Sequence, residues 1–224
     1  MEEIEKKMDN GGKGGDSGRE KKNVKEKEEE MERHERLYEV RSVSEYLKPL
    51  MSFMESVPEE EKVVLVGHSY GGIGISLAME MFPTKVSVGI FLSAYMPHHE
   101  SPPSVLIQEY FKRLLRDSPW IEKAYCNCLL EDLELTMALV KPTWLYPKEM
   151  EGEDLLTKER YGSGKRVFIV REGDNVVPEE IQKWMISNYE PNEVKVIEEA
   201  GHMAMLTEPQ QLPQLLQEIA ARYN

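Results

Sequence analysis

The chain is 224 residues long, with 40% hydrophobic and 31% charged side chains and a formal net charge of −13; that is enough for one domain with a full core. Residues 1–36 hold 12 acidic and 10 basic side chains, and taking them from totals of 41 and 28 leaves the remainder at −11. A body that acidic repels phosphate backbones and anionic lipid, which sets aside nucleic acid and membranes as partners.

Residues 1–36 read as a disordered charged tail. Gly11-Gly12-Lys13-Gly14-Gly15 precedes a Lys/Glu run with too little apolar surface to offset the entropy of ordering. Its glycines lack the preceding strand and following Lys-Ser/Thr of a phosphate-binding loop. From 37 to 224 the texture is that of a folded domain. Val43, Tyr46, Leu47, Leu50, Met51 and Met54 recur at helical spacing, with Pro49 inside the run. Residues 63–66, Val-Val-Leu-Val, form a short β-branched apolar run, as in a strand buried on both faces of a parallel sheet. A helix is predicted over 72–81, ended by Pro83, and a strand over 86–92. Residues 97–158 mix helical patterns with prolines and no strong strand, and are predicted to be a cap inserted in the domain. Alternation resumes with strand 166–170, helix 179–187, strand 194–197 and helix 209–221, which places the chain in the α/β class with a doubly wound parallel sheet. No apolar run reaches membrane-spanning length and the N-terminus lacks the apolar stretch of a signal peptide, so the expected location is cytoplasmic. Cys126 and Cys128 have no CxxC or HxxxH spacing and support neither a disulfide framework nor a metal site.

The strongest local signal is Gly67-His68-Ser69-Tyr70-Gly71-Gly72, set between a predicted strand and a predicted helix. A serine hydroxyl is a weak nucleophile and must project from a sharp turn where a base can reach it, which is the purpose of a G-x-S-x-G elbow. Gly67 and Gly71 are expected to keep side chains out of that turn, and the backbone N–H of Tyr70 to face the developing oxyanion. His202 follows the last predicted strand and its loop, where a histidine can reach over the strand ends to act as base. His34 lies in the tail, His68 inside the elbow, and His98 with His99 at the start of the cap. Asp174, just after strand 166–170, is the candidate that orients the imidazole, with Glu172 as its rival. The order Ser69, Asp174, His202 is that of α/β-hydrolases and differs from those of chymotrypsin and subtilisin.

With these residues in place, the sequence from about residue 36 to 224 resembles the plant methylesterase and hydroxynitrile lyase family of α/β-hydrolases. The resemblance rests on Glu61-Lys62-Val63-Val64-Leu65-Val66-Gly67-His68-Ser69, Glu131-Asp132-Leu133-Glu134-Leu135, and Gly201-His202-Met203-Ala204-Met205-Leu206 followed by Glu208-Pro209-Gln210. It implies the α/β-hydrolase fold, a triad on Ser69, Asp174 and His202, no metal or organic cofactor, and hydrolysis of methyl esters of small plant hormones such as methyl salicylate or methyl jasmonate. Lyases of this family carry lysine directly after the catalytic histidine; Met203 stands there, which favours the esterase branch. The resemblance also implies that Tyr70, Tyr95 and Met203 line the substrate pocket.

Two departures qualify that expectation. Family members begin with a strand ending in His-Gly, whose loop supplies the second oxyanion N–H, and no such strand occurs in this sequence; losing one donor costs about 10²–10³ in turnover. Between Phe111 and Tyr125 the chain is also shorter than the family pattern, so the expected fold has a truncated parallel sheet and a shortened helical cap. Strand 63–66 would then be an apolar edge, open to pairing in a homodimer. Three alternatives stay open: a catalytically impaired ligand-binding homologue, a truncated gene product lacking the second oxyanion donor, and a cyanohydrin lyase.

Overall fold

The computed structural model describes residues 40, 42–114, 120–125, 127–140, 145–198 and 201–223. The tail expected at 1–36 lies outside the described residues, as does Cys126. Ser42–Val140 and Trp144–Asn224 group as one unit, and of the other unit only Val40 is described; the fold is that of the first.

Helix α1, Val43–Ser56, opens with Ser42 Oγ accepting from the Glu45 amide at 3.1 Å, the serine half of a capping box. Pro49 lies inside the helix, removing one backbone donor without ending it. Strand β1 (Val63–His68), helix α2 (Gly71–Met81) and strand β2 (Val86–Leu92) follow. Helices α3 (Pro103–Leu114), α4 (Trp120–Tyr125) and α5 (Leu130–Leu139) come next, then 3₁₀ turns at Pro147–Glu151 and Tyr161–Ser163. Strand β3 (Arg166–Arg171), helix α6 (Glu179–Tyr189), strand β4 (Glu193–Ile197) and helices α7 (Ala204–Thr207) and α8 (Gln211–Tyr223) complete the chain. The last helix corrects the expectation of one element over 209–221. The chain makes the single turn α7 first, passes Pro209, and only then enters α8. Pro213 is tolerated in the first turn of α8 because an amide there has no intrahelical acceptor.

The sheet is parallel, in the order β1-β2-β3-β4. The register pairs His68 with Leu92, Leu92 with Ile169 and Arg171 with Ile197, so the C-terminal ends of the strands share one rim. On one face Leu65, Phe91, Phe168 and Val170 pack with Met54 of α1, Ile73 and Met79 of α2, and Ile181 and Met185 of α6. On the other, Val88, Ile90, Leu92, Val167 and Ile169 pack with Leu212 and Ile219 of α8. A single helix, about 10–12 Å across with its side chains, covers little more than two strands spaced about 4.8 Å apart. Val66 is accordingly 45% exposed, and Val196 on the opposite edge 47%. The expectation that 63–66 is buried on both faces is thus corrected: among the described residues β1 is an edge strand, and one of its faces lies beyond the reach of α8. No helix among the described residues is long and apolar enough to cross a membrane.

Candidate active site

Between β1 and α2 the backbone reverses at Ser69, whose φ of 54° lies in the left-handed region that costs a residue with a Cβ about 1 kcal/mol or more. Surrounding contacts hold it there. Its carbonyl accepts from the Tyr95 amide at 3.0 Å and the Gly72 amide at 3.1 Å. A Cβ on Gly67 would lie 2.8 Å from the Gly71 carbonyl oxygen, and one on Gly72 would lie 2.1 Å from that of Tyr95. A Cβ on Gly71 would meet nothing within 4 Å. The pair that the elbow requires is therefore Gly67 and Gly72; the expected role of Gly71 is corrected, because its α-carbon faces open space.

Asp174 and His202 meet below the same rim, 3% and 4% exposed. His202 Nδ1 lies 2.8 Å from Asp174 Oδ2, and since an ionised carboxylate only accepts, the proton of that bond sits on Nδ1. The same oxygen accepts from Arg171 Nη2 at 2.8 Å and from Ser93 Oγ at 2.5 Å, while Oδ1 accepts from the Val176 and Val177 amides, each at 2.8 Å. Burial alone would raise the Asp174 pKa. The hydrogen bond and charge of His202, the charge of Arg171 and the Ser93 hydroxyl outweigh it and hold the carboxyl well below the usual range. Glu172, the rival acid, is exposed. Among the described residues no hydrogen bond joins the Ser69 hydroxyl to the His202 ring. Bonds of this kind often tighten only around substrate.

Three members of this cluster had no role in the sequence reading: His68, Ser93 and Arg171. Ser93 is fully buried at the end of β2 with φ 39°, a second left-handed serine on the rim. Arg171 ends the wholly buried β3, and its own amide and carbonyl are paired by the buried Gln182 side chain. The available signal was an arginine closing the otherwise apolar stretch Val167–Val170, three residues before the acid.

His68 Nε2 donates to the His202 carbonyl at 2.9 Å, and the two rings lie 4.5 Å apart. Burial, then the positive charges of His202 and Arg171, bring the His68 pKa down from 6.5 to about 3. Between those values the unfolded chain binds a proton that the folded chain refuses. Stability from this group is therefore complete above pH 6.5 and lost as pH falls toward 3, with a slope approaching about 1.4 kcal/mol per pH unit. Urea unfolding of the wild type at a series of pH values should show that slope, and His68→Gln should flatten it. An unchanged slope in the variant would assign it to other groups. Asp174 adds a separate loss below about pH 4, where its unfolded-state carboxylate takes up a proton first.

The Tyr70 hydroxyl donates to the Leu145 carbonyl at 2.6 Å, and its ring meets Tyr46 at 6.3 Å and, edge-on, Tyr95 at 6.0 Å. Tyr95 is buried and lies 4.9 Å from Tyr110. Burial, then neighbouring tyrosines, raises the pKa of Tyr70 and of Tyr95, so both hydroxyls stay neutral. Met203, half-buried, follows the candidate base, and its carbonyl accepts from the Leu206 and Thr207 amides to open α7.

The sequence model of the Alpha/beta hydrolase family matches residues 32–214. Methylesterase 10 of Arabidopsis thaliana is 74% identical over 212 residues, covering 84% of this chain and 77% of that protein. Salicylic acid-binding protein 2 of Nicotiana tabacum is 38% identical over 214 residues, covering 84% and 82%. The crystal structure of polyneuridine aldehyde esterase, at 35% identity, superposes with a TM-score of 0.77 over 83% of this chain and 82% of that one. In the Arabidopsis match about 188 residues of this chain (84% of 224) stand against 212, so some two dozen positions of the relative have no counterpart within the matched region.

Proposed function

The chain belongs to the alpha/beta hydrolase family, and from that footing we propose that it is a serine carboxylic-ester hydrolase acting on methyl esters of small acids, methyl salicylate and methyl jasmonate among them. The observation that carries this reading is the 2.8 Å bond between Asp174 and His202, made on the same rim as the left-handed turn at Ser69. The names of the Arabidopsis and tobacco relatives support the substrate class.

Ser69 Oγ attacks the ester carbonyl while its proton passes to His202 Nε2. Asp174 keeps the proton of the other ring nitrogen in place and stabilises the imidazolium. The Tyr70 amide donates to the oxyanion of the tetrahedral intermediate. That intermediate collapses with cleavage of the bond to the methoxy oxygen, and His202 returns the proton to release methanol. Water, deprotonated by His202, then attacks the acyl-serine, and the free acid leaves. Every step uses side chains or amides of this chain and water. Tyr70, Tyr95 and Met203 flank the acyl group.

Incubation with methyl salicylate, methyl jasmonate and p-nitrophenyl acetate, with the released acids or nitrophenol quantified, tests the reading. Turnover of at least one methyl ester is expected; no product from any of the three overturns it. A second reading, a binding protein that holds such ligands without turnover, is favoured by one observation. Among the described residues no strand flanks the outer side of β1 to offer a second oxyanion amide. Calorimetry would then show salicylate binding without hydrolysis.

A further inference from the structure

Arg171 is an odd neighbour for a catalytic carboxylate. Its side chain is fully buried, and it donates Nη2 to the oxygen of Asp174 that also holds the His202 ring. The same nitrogen lies 3.3 Å from His202 Nδ1. Since Nδ1 already gives its proton to Asp174, the guanidinium faces the imidazole as one donor facing another. Its remaining nitrogens, Nε and Nη1, are buried and have no hydrogen-bond partner among the described residues. Asp174 does not depend on this cation for its own hydrogen bonding: Ser93, His202 and two backbone amides already fill its oxygens.

We infer that Arg171 is a positioning residue that neutralises Asp174 as the electrostatic partner of His202, and so holds proton abstraction from Ser69 below the rate this triad could otherwise reach. This inference rests on the esterase reading above. When His202 takes the serine proton it becomes a cation. Toward that cation a lone carboxylate is a full counter-charge, whereas a carboxylate paired with a guanidinium in the same buried pocket is nearly a neutral dipole. The guanidinium also faces the new positive charge at 3.3 Å, and burial leaves little water to screen the repulsion. Among the described residues His68 is a further titratable group facing the ring, 4.5 Å from it. It is neutral in the working range because burial and the nearby positive charges lower its pKa, so it does not offset this effect.

The test is Arg171→Met, with Arg171→Gln as a second neutral variant in case the first does not fold; the Gln182 bonds to the backbone of residue 171 are available to both. Two quantities are read. In steady-state hydrolysis of p-nitrophenyl acetate kcat should rise about tenfold with KM unchanged, and in an NMR titration the His202 ring should protonate about one pH unit higher than in the wild type. A purely structural role for Arg171 would leave the titration where it was. The NMR measurement decides even if no protein hydrolyses this ester; the esterase reading itself falls only if methyl salicylate and methyl jasmonate also give no product. A His202 titration that does not move, or moves to lower pH, in a folded neutral variant overturns the inference. So does an active variant whose kcat stays level or falls.

Discussion

Ser69→Ala should abolish ester hydrolysis and labelling by a fluorophosphonate probe, while the protein should unfold at nearly the wild-type temperature. Removing the nucleophile of a serine triad costs on the order of 10⁴–10⁶ in kcat, the remainder being whatever oxyanion stabilisation and binding supply alone. The fold should barely register the change, because alanine at φ 54° carries the same Cβ strain as serine. Ser69→Gly is the informative companion. It removes the same hydroxyl and relieves the turn, so it should be equally inactive yet more stable by up to about 1 kcal/mol, or a few degrees in melting temperature. Persistent labelling in Ser69→Ala would place the reactive nucleophile elsewhere. An inactive but badly destabilised protein would show instead that the hydroxyl serves the fold.

Asp174→Asn should damage activity and stability together. The amide can still accept from Val176 and Val177 through its oxygen, but its NH₂ then points at Arg171 Nη2, Ser93 Oγ and His202 Nδ1, the three donors that Oδ2 now receives. Activity falls by about 10⁴, since the imidazole loses both its tautomer and its counter-charge. Stability falls by about 3–5 kcal/mol, because a fully buried guanidinium is left unpaired. Most of that second loss belongs to Arg171, so adding Arg171→Met to Asp174→Asn should recover much of the stability and none of the activity. Urea unfolding of the four proteins in the cycle, set beside their kcat values, separates the two losses. If the double variant is no more stable than Asp174→Asn alone, the cost lies with Ser93 and His202, the other donors that lose Oδ2.

The sheet and the elbow were legible in the sequence because each has a local signature. Strands 63–66, 86–92 and 166–170 are β-branched runs bounded by turn residues, and a serine between glycines at the end of one of them leaves few other readings. The order of Ser69, Asp174 and His202 then selected the fold from three scattered residues. What could not be read was set by distant parts of the chain. Whether Gly71 or Gly72 is indispensable depends on where the Tyr95 carbonyl passes, 23 residues further on. Ser93 reaches Asp174 only because β2 lies beside β3. The helices between β2 and β3 were hard to delimit for another reason. Leu130, Leu135 and Leu139 of α5 are each more than half exposed, so their apolar side chains mark no buried stripe and the sequence shows no clean period there.

Ser69 and Ser93 stand side by side at the ends of adjacent strands, both twisted into a backbone shape that suits glycine better. In most of a protein, a residue so placed is an obvious position for a change that toughens the molecule. Here one hydroxyl is the candidate nucleophile and the other grips the carboxylate that steadies the base, so each strained residue is kept for what its oxygen does. Relieving the strain at Ser69 would cost the hydroxyl, and at Ser93 it would also cost a buried bond to Asp174. Only the first exchange would therefore toughen the molecule, and it would do so with a loss of turnover.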